Sequence, residues 1–586
     1  MRMHYPRTPH LPWSPGAASD DVRVVDLSGL AGREVVVTEK LDGENTTLYH
    51  DGLHARSLDS AHHPSRAWVK ALHSRVARSI PEGWRVCGEN LYARHSIGYQ
   101  DLESWFYAFS VWDGDRCLDW DQGAGFARRL GIPVPPVLWR GVFDERVIRA
   151  LRPDPLRQEG YVVRAVAGFA REEFAHRVAK WVRPAHVQTD THWMLAPVVV
   201  NGRGPTAALW DVRSRGPVDV PALLDSVDMA GADPGCLDEP ARAAAEAASA
   251  IDRMDRPGDT RLAGVLATLL HRVDRAWLAP RLVAPLGLPL ARRIADLVGL
   301  HPRLHRAFPD EARRLGLLRL AVAADPGLLH AVAAAVLTGR TDPEGNEARE
   351  QVEWSALHME DAGLSGETPL APLRTALRQA LGGIDVEVAD RCWAQARAAH
   401  ALGRITGVEE AVAVSWRWRS GDFPRLVVMV GPSGSGKSGF ASRLAAGGEA
   451  DAVVCLDGLR QARGDRSDQR NNAAVLRAGL DRLDAALAGG GRVVWDATCL
   501  TESQRSLVHA VADRRDALVT HAVTLVNADL LGRRNASRVH PVPPTVLAAQ
   551  LARFSPPYPG QAHRTWYVGP DGTVGDVAGT IDGEDP

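Results

Sequence analysis

Residues 35–52 read VVVTEKLDGENTTLYHDG. Three valines and a threonine form a β-branched run, which favours a strand. Lys40 closes that strand, and Asp42, Gly43 and Glu44 follow it at once. A second run ends in YHDGLHAR, which predicts a hairpin turning at Asp51-Gly52. The lysine is the informative residue. The 586-residue chain has only four, Lys40, Lys70, Lys180 and Lys437, so 65 of its 69 basic residues are arginine. Arginine already serves as the surface cation here. Lysine is needed only where the chemistry requires an amine that can lose its proton, or a compact point charge.

The same alternation of short strands with Gly, Asp and Pro punctuation continues over residues 1–200, in EVVVTEK, WRVCGEN, WFYAFSVWD, GYVVRAV and HRVAKWVR. Residues 201–237 are rich in Gly and Pro and read as a linker. Residues 238–415 turn Ala/Leu/Arg-rich with three-to-four-residue periodicity, which predicts helices. Residues 421–586 alternate apolar strands (RLVVMV, AVVCL, RVVWDA, HAVTLVN) with helical stretches, the pattern of a parallel α/β sheet.

The whole-chain properties exclude several classes. Hydrophobic residues at 45% and charged residues at 24% place the chain among globular rather than disordered proteins. No apolar run reaches the roughly 18 residues of a membrane span, and the N-terminus lacks the apolar core of a secretory signal. The six cysteines form no CxxC pair, which argues against a zinc knuckle or disulfide framework and fits a cytoplasmic location. Net charge is only −2, so a nucleic-acid partner would be held by local arginine patches.

K-x-D-G at Lys40 resembles motif I of the covalent nucleotidyltransferases, the ATP-dependent ligases and capping enzymes. Further matches follow in that family's order. The resemblance implies that Lys40 attacks the nucleotide α-phosphate, with Asp42 and Gly43 beside it. Arg56 would contact ribose or phosphate. Glu89 in VCGEN would bind the ribose hydroxyls. Phe109 in FYAFSVWD would stack on adenine, with Phe106 on the other face of the strand as its rival. Glu159 in QEGYVVR would hold the catalytic metal, and Lys180 in VAKWVR would stabilise phosphate charge. The family's usual second motif-V lysine is absent, and Arg183 stands nearest. Lys70, in SRAWVKALH, reads as a solvated helix position.

GPSGSGKS, residues 431–438, follows a strand and opens a helix. It matches the phosphate-binding P-loop, with Gly431, Gly434 and Gly436 allowing backbone N–H groups to close on phosphates. Lys437 would reach the β/γ-phosphates and Ser438 would ligate Mg²⁺. Asp457 and Arg460, after the next strand, suit a general base for an acceptor hydroxyl and a clamp for its neighbouring phosphate. This D-x-x-R resembles the acceptor site of polynucleotide 5′-kinases. On that resemblance Asp496, with Thr498, adds an acceptor contact from a third strand. Arg534 and Arg538, one helical turn apart, would form the lid over the donor phosphates. A small-metabolite kinase of the same fold is the rival reading.

These resemblances imply a multidomain chain. It would have an N-terminal α+β nucleotidyltransferase domain (1–200), a central all-α domain (238–415) and a C-terminal α/β P-loop kinase domain (421–586). They imply an RNA ligase fused to a polynucleotide 5′-kinase, similar to the RNA-repair kinase–ligases of phage, fungi and plants. ATP with Mg²⁺ or Mn²⁺ is the expected cofactor set. RNA with broken ends, tRNA included, is the expected partner, with a separate 3′-end phosphatase supplying 3′-OH ends. A DNA repair kinase–ligase and a nucleotide-gated RNA-binding regulator are the alternatives. The helical middle contains His271, His301, His305, His330 and His358 but no His-Asp pair. It reads as a scaffold or RNA-docking region.

Overall fold

The computed structural model describes residues 2–18, 21–58, 62–184, 197–231, 239–307, 310–463, 472–538 and 540–583. Cys236 lies outside them. The chain forms two compact units, Met1–Gly231 with Ala248–Leu262, and Ala232–Ala247 with Ala263–Pro586.

The first unit is built on two sheets. Its strands are β1 (Glu34–Lys40), β2 (Glu44–Tyr49), β3 (Gly52–Ala55), β4 (Trp84–Asn90), β5 (Phe106–Asp113), β6 (Arg116–Cys117), β7 (Val137–Val142), β8 (Gly160–Ala165), β9 (Phe169–Ala170) and β10 (Val178–Val182). One sheet has the order β10-β8-β1-β7 and the other β3-β2-β4-β5-β6-β9. In β1 successive side chains face opposite sides of the sheet. Val35 and Val37 pack with Leu11, Ile148 and Tyr161. Val36 packs on the other side with Trp120 and Val166. β1 is therefore covered on both faces, which explains its unbroken apolar run. The helix Ala67–Val76 buries Val69, Leu72 and Val76 and leaves Lys70 exposed.

The stretch 201–237, expected as a linker, instead carries the helices Ala207–Arg213 and Val220–Ser226 within its described part; residues 232–237 lie outside it. Leu209, Val212, Leu223 and Leu224 are buried. The Gly and Pro residues mark the ends of these short helices. Pro221 occupies the first turn, where proline is tolerated, and the Asp219 carboxylate caps the Ala222 N–H at 3.1 Å.

The second unit joins helices to a six-stranded sheet. Its strands are β11 (Arg425–Val430), β12 (Ala452–Cys455), β13 (Arg492–Asp496), β14 (Leu518–Thr524), β15 (Arg564–Val568) and β16 (Val574–Ala578), in the order β12-β13-β11-β14-β15-β16. All neighbouring pairs are parallel except β15–β16. The division drawn from the sequence between residues 415 and 421 falls inside this unit. Glu387, in the helix Val386–Ala401, accepts from arginines of three strands. These are Arg425 Nε at 3.1 Å, Arg492 Nη2 at 2.6 Å and Arg564 Nη2 at 2.8 Å. Burial pushes the Glu387 pKa up, but the three guanidinium groups outweigh it and hold the carboxyl below its usual value. Among the described residues no single helix is long and apolar enough to cross a membrane.

Candidate active sites

The first unit contains a cavity of about 970 Å³. Strand register explains its floor. Lys40 pairs with Gly160 across β1 and β8, Thr38 with Val162, and Val162 with Lys180 across β8 and β10. Counting by two, Val36, Thr38 and Lys40, Val162 and Arg164, and Val178 and Lys180 share one face, and all seven line the cavity. Gly160 permits this register. A Cβ there would lie 1.9 Å from the Trp181 carbonyl oxygen.

Glu159 precedes Gly160 and accepts from Lys40 Nζ at 2.5 Å. The carboxylate is 7% exposed and the amine 23%. Burial pulls the Lys40 pKa down. Glu159, Glu89 and Asp42 outweigh burial, so the ammonium is held above the usual lysine value. Glu89 lines the cavity and accepts from the Gly43 N–H at 3.2 Å. Burial pushes its carboxyl up to about 8, with Lys40 opposing and Glu159 adding to the rise. Burial and the nearby Lys40 charge hold Lys180 below its ordinary value.

Arg56, Gly43 and Phe109 also line the cavity. The Tyr5 ring stands edge-on to Phe109, with centroids 5.1 Å apart. Phe106 is fully buried in the core with Val86, Phe126 and Leu130, so it is no rival stacker. Asp42 departs from expectation. It is not among the cavity-lining residues. Its Oδ2 accepts from the Ser96 and Ile97 N–H groups, each at 2.8 Å, and its own N–H donates to Tyr99 Oη at 3.0 Å. Buried in this way, it braces the loop that carries Gly43. Arg183 likewise stays off the lining, although its N–H donates to the Glu159 carbonyl at 3.1 Å.

Sequence reasoning missed several lining residues. Thr38 and Arg164 were available from the two-residue period of their strands. The buried pair Arg66–Glu44, with Arg66 Nε 2.8 Å from Glu44 Oε2, joins residues 22 positions apart and had no local signal. Nor did the N-terminal segment, whose Tyr5, Arg7 and Thr8 line the cavity.

Glu159 offers hard carboxylate oxygens beside Lys40, a donor that suits Mg²⁺ or Mn²⁺. Among the described residues no three His, Cys, Asp or Glu side chains converge on a metal position. Mg²⁺ commonly takes one or two carboxylates and completes its shell with water and substrate phosphates, so the residues present fit an ion brought in with a nucleotide.

The second site lies at the C-terminal edge of the parallel sheet, where α/β proteins bind ligands. The loop 431–436 leads from β11 into the helix Lys437–Ala446. Gly434 and Gly436 have φ of +83° and +101°, the left-handed region that glycine adopts at least cost. Lys437 is buried and donates to the Pro432 carbonyl at 2.6 Å. Burial lowers its pKa to about 8, with Asp496 opposing and Arg538 contributing. Ser438 is exposed in the first helical turn. Asp496 ends β13 beside Cys455 of β12, and it is buried. Thr498, expected on that strand, lies past its end, where its carbonyl accepts from the Gly431 N–H at 3.0 Å. Asp457 sits in the first turn of the helix Leu456–Gln461, and Arg460 Nη1 donates to it at 2.6 Å.

A Cβ on Gly436 would lie 3.9 Å from Arg534 Nη1, so the helix Ala528–Ala536 hangs over the P-loop. Arg534 Nη2 donates to the Pro570 carbonyl at 2.5 Å. Arg538, expected one helical turn further along, lies beyond the helix end at Ala536. Its charge still reaches Lys437.

Among the described residues of the helical region the histidines form no metal-binding cluster. His271, His301 and His305 lie edge-to-face in a row, with centroids 6.1 and 5.6 Å apart. Each hydrogen-bonds a backbone carbonyl, of Thr268, Val298 and Ala333 respectively.

Fold and sites together define a multidomain nucleotide-binding protein, with an α+β nucleotidyltransferase domain ahead of a P-loop α/β domain. Residues 33–182 match the RNA ligase family model and residues 426–557 match an AAA domain model. The chain carries an RNA ligase domain at its N-terminal end and a P-loop, kinase-like domain at its C-terminal end. Naegleria gruberi RNA ligase with PPi is 19% identical over 27% of this chain and 51% of that chain, with a TM-score of 0.22. A variant of the same ligase with ATP and Mn is 18% identical over 27% and 52%, with a TM-score of 0.21. An unliganded sugar kinase from Janibacter sp. HTCC2649 is 23% identical over 25% of this chain and 86% of that chain, with a TM-score of 0.21. The chain spans about half the length of the Naegleria ligase structures. No curated protein matches it.

Proposed function

We propose that this protein heals and seals broken RNA, phosphorylating 5′-OH ends at its P-loop and joining them to 3′-OH ends at Lys40. The observation that supports the reading best is Lys40, on the floor of a cavity also lined by Glu89, Phe109 and Lys180, held at 2.5 Å by Glu159, which itself stays off the lining. In the healing step the 5′-hydroxyl oxygen bonds to the ATP γ-phosphorus and the bond to ADP breaks. Asp457 takes the hydroxyl proton and Arg460 holds the neighbouring phosphate. Lys437, Arg534 and Arg538 face the charge on the donor phosphates, and Asp496 borders the acceptor.

In the sealing step the neutral Lys40 amine bonds to the ATP α-phosphorus and pyrophosphate leaves. The RNA 5′-phosphate then takes AMP from the lysine, and a 3′-OH displaces AMP to form the phosphodiester. Phe109 stacks the base, Glu89 and Arg56 hold ribose and phosphate, and Lys180 offsets charge on the phosphorus. A divalent ion, when bound at Glu159, supplies positive charge that disfavours the Lys40 ammonium and neutralises the nucleotide phosphates. Ser438 would hold the second ion. The helical region serves as scaffold.

Incubation with α-labelled ATP tests the reading. An acid-resistant label on the protein, lost in Lys40→Ala, is expected, and absence of label would refute it. RNA and DNA strands with 5′-OH ends, offered in parallel, separate RNA repair from DNA repair.

A further inference from the structure

The second unit contains a cavity of about 390 Å³ distinct from the P-loop site. Val519, at the start of β14, lines it. Thr524, at the other end of β14, hydrogen-bonds Ser435 of the P-loop at 2.6 Å. The cavity therefore lies at the N-terminal edge of the sheet, a strand length or roughly 20 Å from the nucleotide site. Its walls come from the helices Asp310–Ala323, Val386–Ala401 and Glu502–Arg514 and from the loop before β15.

The polar lining is strongly one-sided. Arg303, Arg319 and Arg397 face a single acid, Asp513. Arg397 has a structural task, donating to the Ala562 and His563 carbonyls at 3.2 and 2.9 Å. Arg303 and Arg319 are different. Both are exposed, and among the described residues neither guanidinium makes an ion pair or hydrogen bond. Arg303 lies only over the Tyr558 ring, at 5.8 Å. The cavity also holds a neutral donor. The Val519 N–H donates to His563 Nδ1 at 2.9 Å, so the neutral ring carries its proton on Nε2. Burial keeps this histidine neutral by lowering its pKa well below the usual value.

Two uncommitted guanidinium groups at the mouth of a concave site, with a histidine N–H within and one carboxylate, match a phosphate group. The volume falls in the range of small-ligand pockets. We propose that this cavity binds a phosphate-bearing ligand, either a phosphodiester of the RNA strand or a free mononucleotide, separately from both nucleotide sites. It would then be a second anchor for the substrate, or a sensor of nucleotide, on the helical side of the sheet.

The test uses the full chain with Lys40→Ala and Lys437→Ala, which weakens competing phosphate binding at the two active sites. The probes are inorganic phosphate, AMP and a hexa-adenylate without terminal phosphates, each titrated with and without Arg303→Glu and Arg319→Glu. Binding of at least one probe should weaken tenfold or more. Loss confined to the hexamer identifies the phosphodiester, and its salt slope should then fall by about 0.7, the value for one single-strand phosphate contact. Loss for AMP or phosphate identifies the free ligand. If no probe distinguishes the charge-reversed protein from its parent, the site does not exist. Should the double variant unfold, Arg319→Ala alone removes an exposed, unpaired side chain and reads the same loss in weaker form.

Discussion

The scarcity of lysine makes one prediction unusually direct. Protein labelled with ¹³C-lysine will give four side-chain signals, each assignable by a single Lys→Arg substitution. Titrated from roughly pH 6 to 11, these signals report each ammonium separately. Lys437 should titrate near 8, because burial dominates there. Lys180 should titrate below the ordinary 10.5. Lys40 should titrate above it, because its carboxylate neighbours outweigh burial. Glu159→Gln is the decisive perturbation. The carboxylate lies 2.5 Å from Lys40 Nζ and is 7% exposed, so solvent screens it little. An opposite charge this close favours the charged amine, and its removal should bring the Lys40 pKa down, because burial is then opposed only by Glu89 and Asp42. The proposed adenylation would consume the neutral amine, so on this reading the free protein holds Lys40 in its unreactive form. Lys40 titrating below Lys180, or staying unmoved in Glu159→Gln, would refute the charge balance argued for this site.

Other consequences are checked by activity or stability. Lys40→Ala should abolish protein adenylation and joining while 5′-phosphorylation persists, since the P-loop lies in the other unit; loss of both in a folded variant would count against separate sites. Asp457→Ala should fail on 5′-OH ends yet seal pre-phosphorylated strands and keep ATP binding; an ATP affinity as poor as that of Lys437→Ala would remove its role as base. Glu387→Ala leaves three arginines without their shared carboxylate and should cost about 3–5 kcal/mol in denaturant unfolding. The Glu387 pKa is depressed on folding, so its contribution should be complete above about pH 4.5 and fade as pH falls through the lower folded value. The protein should not release phosphate from 3′-phosphate RNA with Mn²⁺, Ni²⁺ or Co²⁺, because the His271, His301 and His305 rings are tied to backbone carbonyls; release lost on changing His271 would overturn that.

What the sequence revealed was local, and what it concealed was assembled across the chain. The P-loop, the end of β1 and the turn into β2 are each written in fewer than ten consecutive residues, so their chemistry and conformation coincide. Glu159 was legible because its motif is contiguous, yet its position against Lys40 depends on the β1–β8 register and on the absence of a side chain at Gly160. Asp42 shows the converse. It sits in the most recognisable motif, but its carboxylate turns to the Ser96 and Ile97 N–H groups, more than 50 residues away, and no local pattern announces that. The joining of helices to sheet was hidden for the same reason, since Arg425, Arg492 and Arg564 meet Glu387 only once three strands lie parallel.

The lysine count, by contrast, is a global property that pointed to local chemistry. Three of the four lysines line the two sites, and the fourth lies on an exposed helix face. The three differ in proton affinity for identifiable reasons. Lys40 sits among carboxylates and is raised. Lys180 is half-buried beside another cation and is lowered. Lys437 is buried, with Asp496 and Asp457 only partly opposing, and is lowered furthest, to about 8. Arginine offers no such range, because its guanidinium stays protonated in every one of these surroundings. A chain that has replaced nearly all its lysines can therefore be expected to keep those whose proton must be tuned, and the amine with the strongest carboxylate company is the one proposed to lose its proton for catalysis.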